Sequence, residues 1–380
     1  MINNYLQDFL AQRKKKLPFY NSFLEVLHID LPLFIGLLLL AGFGLLILYS
    51  ASGQDLVIVS QQAIKLGMAI ILMLILAQIT PRNYEMWAPW LYFGCVFLLI
   101  LVLGLGVSSK GGQRWLSLGL FRFQPSEIMK LAMPLMLAWF FNHADLPPSL
   151  KRLGVAFLLI IIPVLLVAKQ PDLGTALMIA FAGLSVILLA GVPIWLFITG
   201  LIAAAASFPL IWHMLHDYQK NRILMLFNPE RDPLGKGYHI IQSKIAIGSG
   251  GFFGKGWFGG TSTQLSFLPE HTTDFIFAVT GEELGFIGVV ILLTLFGFIL
   301  WRGLKITLMA QDTFSRLLAG SITLLFFISA VVNMGMVSGI LPVVGVPLPL
   351  ISYGGTAMVT FFASFGIVMS VHANRKMIST

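Results

Sequence analysis

The sequence predicts an all-α polytopic membrane protein of ten transmembrane helices, with a large external loop between the seventh and the eighth. Three observations carry this. Of 380 residues, 57% are hydrophobic and only 11% charged, with a mean hydropathy of +0.89; a water-soluble chain of this size needs far more charge on its surface. Apolar segments recur at 31–51, 57–79, 87–107, 124–142, 153–168, 173–191, 194–213, 273–300, 315–340 and 350–372. Most are long enough to cross a hydrocarbon layer about 30 Å thick. Between the seventh and eighth the pattern gives way to a polar, Gly-rich stretch, 214–272. Residues 1–380 therefore read as a single membrane domain, with 1–30 a cytoplasmic N-terminal segment and 373–380 a cytoplasmic tail. No internal repeat of the kind that builds inverted-repeat transporters is visible.

Taken in order, the first segment follows "RKKK" (13–16) and runs apolar from Leu31. It is longer than a secretory leader's apolar stretch, so a retained membrane span is expected. Placing the N-terminus inside puts Arg13, Lys14, Lys15, Lys16, Arg82, Lys151, Arg152, Arg302, Lys305, Arg316, Arg375 and Lys376 in inner loops and tails. The outer short loops and adjoining helix ends hold half as many: Lys65, Lys110, Arg114, Arg122, Lys130 and Lys169. This asymmetry orients the chain with both termini in the cytoplasm. The net charge of +8 is thus spread over segment ends. It forms no basic patch interleaved with aromatics, which excludes a nucleic-acid partner. The single cysteine, Cys95, lies in an apolar run, so no intramolecular disulfide is possible.

Within the external loop, residues 238–247 have the pattern of an amphipathic helix lying on the membrane. "GSGGFFGKGWFGG" (248–260) follows, and its glycines would let backbone approach a ligand closely. It is no phosphate-binding P-loop: Gly256 stands after Lys255 where Ser or Thr is required.

Polar residues persist at three outer segment starts. "QPSEIMKLA" (124–132) opens the fourth segment, and Glu127 and Lys130, three apart, share a helix face. "KQPDLGT" (169–175) opens the sixth with Lys169 and Asp172, and "HTTDFIFAV" (271–279) opens the eighth with Asp274. Each has a plain structural reading. Asp172 and Thr273 could be helix caps, Asp274 a charge favoured by the helix dipole, and Glu127–Lys130 an intrahelical pair. Three such starts on one side, carrying both signs, point instead to a shared cavity or pathway. Glu282 and Glu283 lie about 12 Å deeper than Asp274, roughly 80° around the helix and opposite to it. They cannot all face one ligand, and structural pairs inside the bundle are expected for them. An outward groove with one carboxylate and several cations suits transfer from a lipid-linked pyrophosphate. Cations neutralise the leaving group, and a sugar hydroxyl needs one general base.

The blocks "PSEIMKLA", "KQPDLGTAL", "FLPEHTTDFIFAVTGEELG" and "LPLISYGG" occur in that order, and with them the chain resembles the SEDS family (shape, elongation, division and sporulation) over essentially its whole length. "GSGGFFGKGWFGGTSTQLSFLPEHTTDF" and "VNMGMVSGILPVVGVPLPLISYGG" resemble the elongation, RodA-like members more than the division type. "PEHTTDF" departs slightly from the form "PERHTDF" but keeps the Asp-Phe pair. The resemblance implies a ten-helix inverting glycosyltransferase of the bacterial inner (cytoplasmic) membrane. It would polymerise lipid II, the undecaprenyl-pyrophosphoryl disaccharide-pentapeptide, into peptidoglycan strands on the outer face during elongation. Asp274 falls on the family's essential aspartate, as base or as ligand of a divalent cation (Mg or Mn), with no other cofactor implied. Glu127, Lys130 and Asp172 fall on further family positions, and Arg114 and Lys169 join them as cations for the pyrophosphate. A lipid II flippase would need a site near the midplane reachable from both faces, and a scaffold without chemistry leaves the clustered carboxylates unexplained. No serine has lysine three residues on, so the Ser-x-x-Lys transpeptidase chemistry must come from another chain. The resemblance points to a class B penicillin-binding protein with one membrane helix. Small residues in "LLAGSITLLFFISAVVNMG" (317–335), beside the eighth segment, mark a candidate contact.

Overall fold

The computed structural model describes residues 28–109, 112–117, 122–143, 145–206, 213, 220, 224–225, 236–261 and 270–374. Its elements are α1 (Leu31–Ala51), α2 (Leu56–Ala77), α3 (Pro81–Leu105), a small antiparallel sheet of β1 (Val107–Ser109), β2 (Gly112–Ser117) and β3 (Arg122–Phe123), α4 (Pro125–Asn142), α5 (Leu150–Lys169), α6 (Leu173–Leu189), α7 (Ile194–Ala206), α8 (Lys236–Ser249), α9 (Ile276–Met309), α10 (Thr313–Val337) and α11 (Gly355–Ala373). Aspartates cap four helix starts: Asp30 accepts from the Leu33 N–H, Asp55 from Val57, Asp172 from Thr175 and Asp312 from Ser315. Each satisfies an amide that has no partner inside its helix.

Among the described residues, seven helices are long and apolar enough to cross a membrane: α1, α2, α3, α5, α9, α10 and α11. Each of the ten expected segments lands on a helix, counting α4, α6 and α7. Boundaries moved where polar residues join a helix or leave it. The third begins at Pro81 rather than 87, because proline suits a first turn and "RNYE" is tolerated there. The last begins at Gly355 rather than 350; Leu350 has φ 63° and the chain turns until Gly354. The amphipathic helix expected at 238–247 is α8.

α10 runs through the middle of the bundle. Gly320 faces Leu189 of α6 and Thr307 of α9, and Thr323 fills the space beside Gly303. Across 317–335 only Val331 is exposed. The small residues of this stretch therefore serve packing inside the bundle, which corrects their expected role in meeting another protein. α2 is the opposite case, packed along α11 and otherwise largely open.

α9 is held at both ends. At the end where α1 begins, Asp30 is buried and accepts from Arg302 Nε at 2.9 Å and from a second guanidinium N–H, with His372 Nε2 at 3.2 Å. Burial alone would raise the Asp30 carboxyl; Arg302, the Leu33 N–H and His372 outweigh it and hold it below the usual carboxylate range.

At the other end α9 breaks at Gly285 (φ 64°, ψ −157°). The Gly-rich segment seals the break. Lys255 and Gly256 N–H groups donate to the Glu282 and Glu283 carbonyls, both at 3.0 Å, and Phe286 and Ile287 donate to the Gly251 and Phe252 carbonyls. Those groups lose their helical partners at the kink, and unpaired amides are costly in a membrane. The glycines thus bring loop backbone against helix backbone, where the sequence had suggested a ligand. The two glutamates behave as expected. Glu282 binds Lys255 Nζ at 2.7 Å and Thr261 at 2.9 Å, and Glu283 accepts from Ser50 of α1 at 2.6 Å.

Candidate active site

Asp274 lies in the turn just before α9, whose N-cap is Phe275 with no side-chain cap bond. Thr273 does not cap; its hydroxyl turns back to the Glu270 carbonyl and carboxylate, both at 3.2 Å. The turn is fixed through its backbone. Buried Asn333 of α10 donates from Nδ2 to the Asp274 carbonyl at 2.9 Å and to the Val346 carbonyl at 2.7 Å. Ser352 donates to the Thr273 carbonyl at 2.6 Å, and the Tyr353 N–H to the Thr272 carbonyl at 2.9 Å. Gln62 of α2 reaches the Ser352 carbonyl at 3.3 Å. The strap between α10 and α11 is therefore the scaffold of the turn.

The strap also links Asp274 to the start of α6. A Cβ built on Gly345 would sit 3.5 Å from Asp274 Oδ2. One built on Gly174 would meet the carbonyl oxygen of the adjacent residue, Val344, at 2.4 Å. Two residues before Gly174 is Asp172, which is both a cap and the centre of a polar cluster. Its Oδ1 accepts from Thr175 N–H at 3.2 Å and its Oδ2 from Gln124 Nε2 at 3.0 Å, with Arg114 Nε 3.8 Å away. Arg114, carried by β2, also donates to the Pro171 carbonyl.

Glu127 and Lys130 form the expected pair on α4, buried, with Nζ 2.7 Å from Oε2 and 5.6 Å from the Phe361 ring centre. Lys169, exposed at the end of α5, joins none of these networks. The geometry therefore unites Arg114, Gln124 and Asp172, and places Asp274 across the strap from them.

Above the turn, the His239 ring of α8 stacks on Phe275, centroids 5.7 Å apart and planes at 24°. Burial pushes its imidazole below the usual range, against an opposing pull from Glu270.

Sequence reasoning missed Asn333, Ser352, Gln62 and His239. Asn333 carried a usable signal, a lone amide inside an apolar helix. Ser352 lies within "LPLISYGG", where nothing local gives it a role.

Because Glu127 and Lys130 are both buried, losing either strands the other charge. Glu127→Gln and Lys130→Met should each impair activity, and the double variant should lose less than the two combined. A coupling of about 1–3 kcal/mol is expected from a double-mutant cycle on reaction rate; strictly additive losses would separate their roles.

A family of cell cycle proteins that groups FtsW, RodA and SpoVE matches residues 27–377 of the chain. The chain is 53% identical over 363 residues to the peptidoglycan glycosyltransferase MrdB of Escherichia coli (strain K12), covering 95% of this chain and 98% of that one. The crystal structure of the rod shape determining protein RodA from Thermus thermophilus is similar with a TM-score of 0.70 at 30% identity, over 91% of this chain and 97% of that one. A chain from a peptidoglycan synthase complex, solved for its coordination of polymerization and crosslinking, is similar with a TM-score of 0.81 at 35% identity, over 92% and 98%.

Proposed function

The chain belongs to the family of cell cycle proteins that groups FtsW, RodA and SpoVE, and from that premise we propose an elongation-type peptidoglycan glycosyltransferase that polymerises lipid II on the outer face of the bacterial inner membrane. The observation that carries it is Asp274. One carboxylate is locked by its backbone at a helix start, across a short strap from an Arg114–Gln124–Asp172 cluster.

In this reading α1–α7 and α9–α11 are the ten spans and α8 lies along the outer surface. Both termini are cytoplasmic, as the Lys and Arg distribution favours. Asp274, Asp172 and Glu127 then share the outer end, and Asp30–Arg302–His372 the inner one.

The reaction inverts in one displacement. The acceptor 4-hydroxyl attacks C1 of the donor sugar while Asp274 takes its proton. The C1–oxygen bond breaks, and undecaprenyl pyrophosphate leaves with the electron pair. Arg114 is the cation best placed to offset that charge: its side chain stays partly exposed while it stands beside Asp172. Lys130 already serves Glu127; exposed Lys169 is free to meet the pyrophosphate. Among the described residues no three His, Cys, Asp or Glu converge on a metal position. A divalent cation would therefore rest on Asp274 and the substrate's own phosphates, a manner of binding that suits Mg²⁺.

Crosslinking falls to a class B penicillin-binding protein. With 317–335 committed to the bundle interior, α9 remains the expected contact, exposing Phe286, Ile287, Val290 and Ile291. The purified chain with that partner, given lipid II in nanodiscs, should form long glycan strands. Movement of labelled lipid II between leaflets without any polymer would favour the flippase instead.

A further inference from the structure

Lys65 is a cation in a membrane span that the reaction above does not use. It lies nine residues into α2, about 13 Å along the helix from its first residue. An ammonium at that depth is costly and ordinarily has a partner. Among the described residues no carboxylate lies within ion-pair distance of it. The side chain lies along the start of α11. Its stem lies against Gly355, with Cδ 3.1 Å from where a Cβ would be, and its Nζ is 3.3 Å from the Tyr353 hydroxyl and 4.5 Å from that ring's centre. The hydroxyl in turn donates to Gln61 Oε1 at 3.1 Å.

This position is tied directly to the Asp274 turn. The same Tyr353 donates its N–H to the Thr272 carbonyl, and its neighbour Ser352 holds the Thr273 carbonyl. Lys65 therefore reaches the back of the catalytic turn through one residue. An ammonium has three N–H donors, and the tyrosine hydroxyl accepts one. On the membrane side of Lys65, Ile64 and Met68 are exposed along α2. A cation with spare donors, beside an apolar strip and the turn that bears the base, suits an anion attached to a lipid chain.

We propose that Lys65 and Tyr353 form a subsite for a lipid-borne phosphate, holding the phosphate group of the lipid-linked sugar beside the Asp274 turn while its chain lies along α2. The inference rests on the polymerase reading for the identity of the lipid. Its test therefore measures binding, which does not require turnover.

The probe is undecaprenyl pyrophosphate, titrated into the purified chain in phosphatidylcholine nanodiscs. Lys65→Met should weaken binding about tenfold, the loss of one charge-assisted contact. Lys65→Arg should stay within about threefold of the wild type, and Tyr353→Phe should weaken binding by about threefold. Should Lys65→Met fail to fold, the other two variants carry the test. Repeating the titration with phosphatidylglycerol in the bilayer separates the two sources of lipid phosphate. An unchanged Lys65→Met defect assigns the site to the substrate, whereas its disappearance assigns the site to bulk lipid and overturns the proposal. Equal affinity of wild type, Lys65→Met and Tyr353→Phe in phosphatidylcholine also overturns it. Loss of polymerisation with binding intact would instead count against the polymerase reading alone.

Discussion

Asp274→Asn is expected to lower glycan synthesis by at least about a hundredfold, the usual contribution of a general base, and to leave the protein folded. The two halves of the expectation have separate causes. Asparagine keeps the shape of the side chain but cannot accept the acceptor's proton. The bonds that hold the turn run through main-chain oxygens of Thr272, Thr273 and Asp274, received by Tyr353, Ser352 and Asn333. The Asn substitution touches none of them. The measurement is polymerisation of lipid II by the purified variant, with its melting temperature beside the wild type's. Near-normal synthesis would remove Asp274 from the chemistry, and a large fall in melting temperature would make it structural.

Gly254→Ala is expected to cost the fold itself. Gly254 has φ +80°, and a Cβ there would sit 2.1 Å from the Glu283 carbonyl oxygen. That atom belongs to backbone at the α9 break and cannot move aside without opening the four hydrogen bonds that seal it. A loss of more than about 4 kcal/mol is expected, in the range reserved for backbone collisions and broken buried networks. Gly256→Ala is the control. Its φ is +94°, yet nothing lies within 4 Å of the added atom, so only the conformational cost of about 1–2 kcal/mol applies. Melting temperature and monodisperse yield after detergent extraction distinguish the two. If both variants melt alike, the clasp is not what holds α9.

Much of this architecture is legible in the sequence, for physical reasons. A membrane span must be apolar over its length, so hydropathy locates α1, α2 and α5 within a few residues. Aspartates before apolar runs announce caps, as Asp172 does. The bland and the functional readings of Asp172 are both realised, because a carboxylate has two oxygens and uses one for Thr175 and the other for Gln124. What sequence hides is long-range pairing. Nothing local tells that Asn333 closes on Asp274, 59 residues away, or that Gln62 meets Ser352 across 290 residues. The glycines of 248–260 misled for a related reason. A stretch without side chains declares that something approaches closely and leaves open whether it is a substrate or the chain's own backbone. The stripe of 317–335 is the same ambiguity between an internal and an external neighbour.

α9 is pinned like a beam at both supports, by the glycine clasp at one end and by Asp30–Arg302 at the other. The carboxylate at its head is therefore positioned when the chain folds, before any sugar arrives. For the base proposed above, placement in advance removes reorganisation at the moment of attack. Movement during repeated additions to a growing strand must then fall to the parts that are not pinned. α2, seated on α11 along one side and the least buried of the seven long helices, offers the widest open face along which one polymer unit can give way to the next.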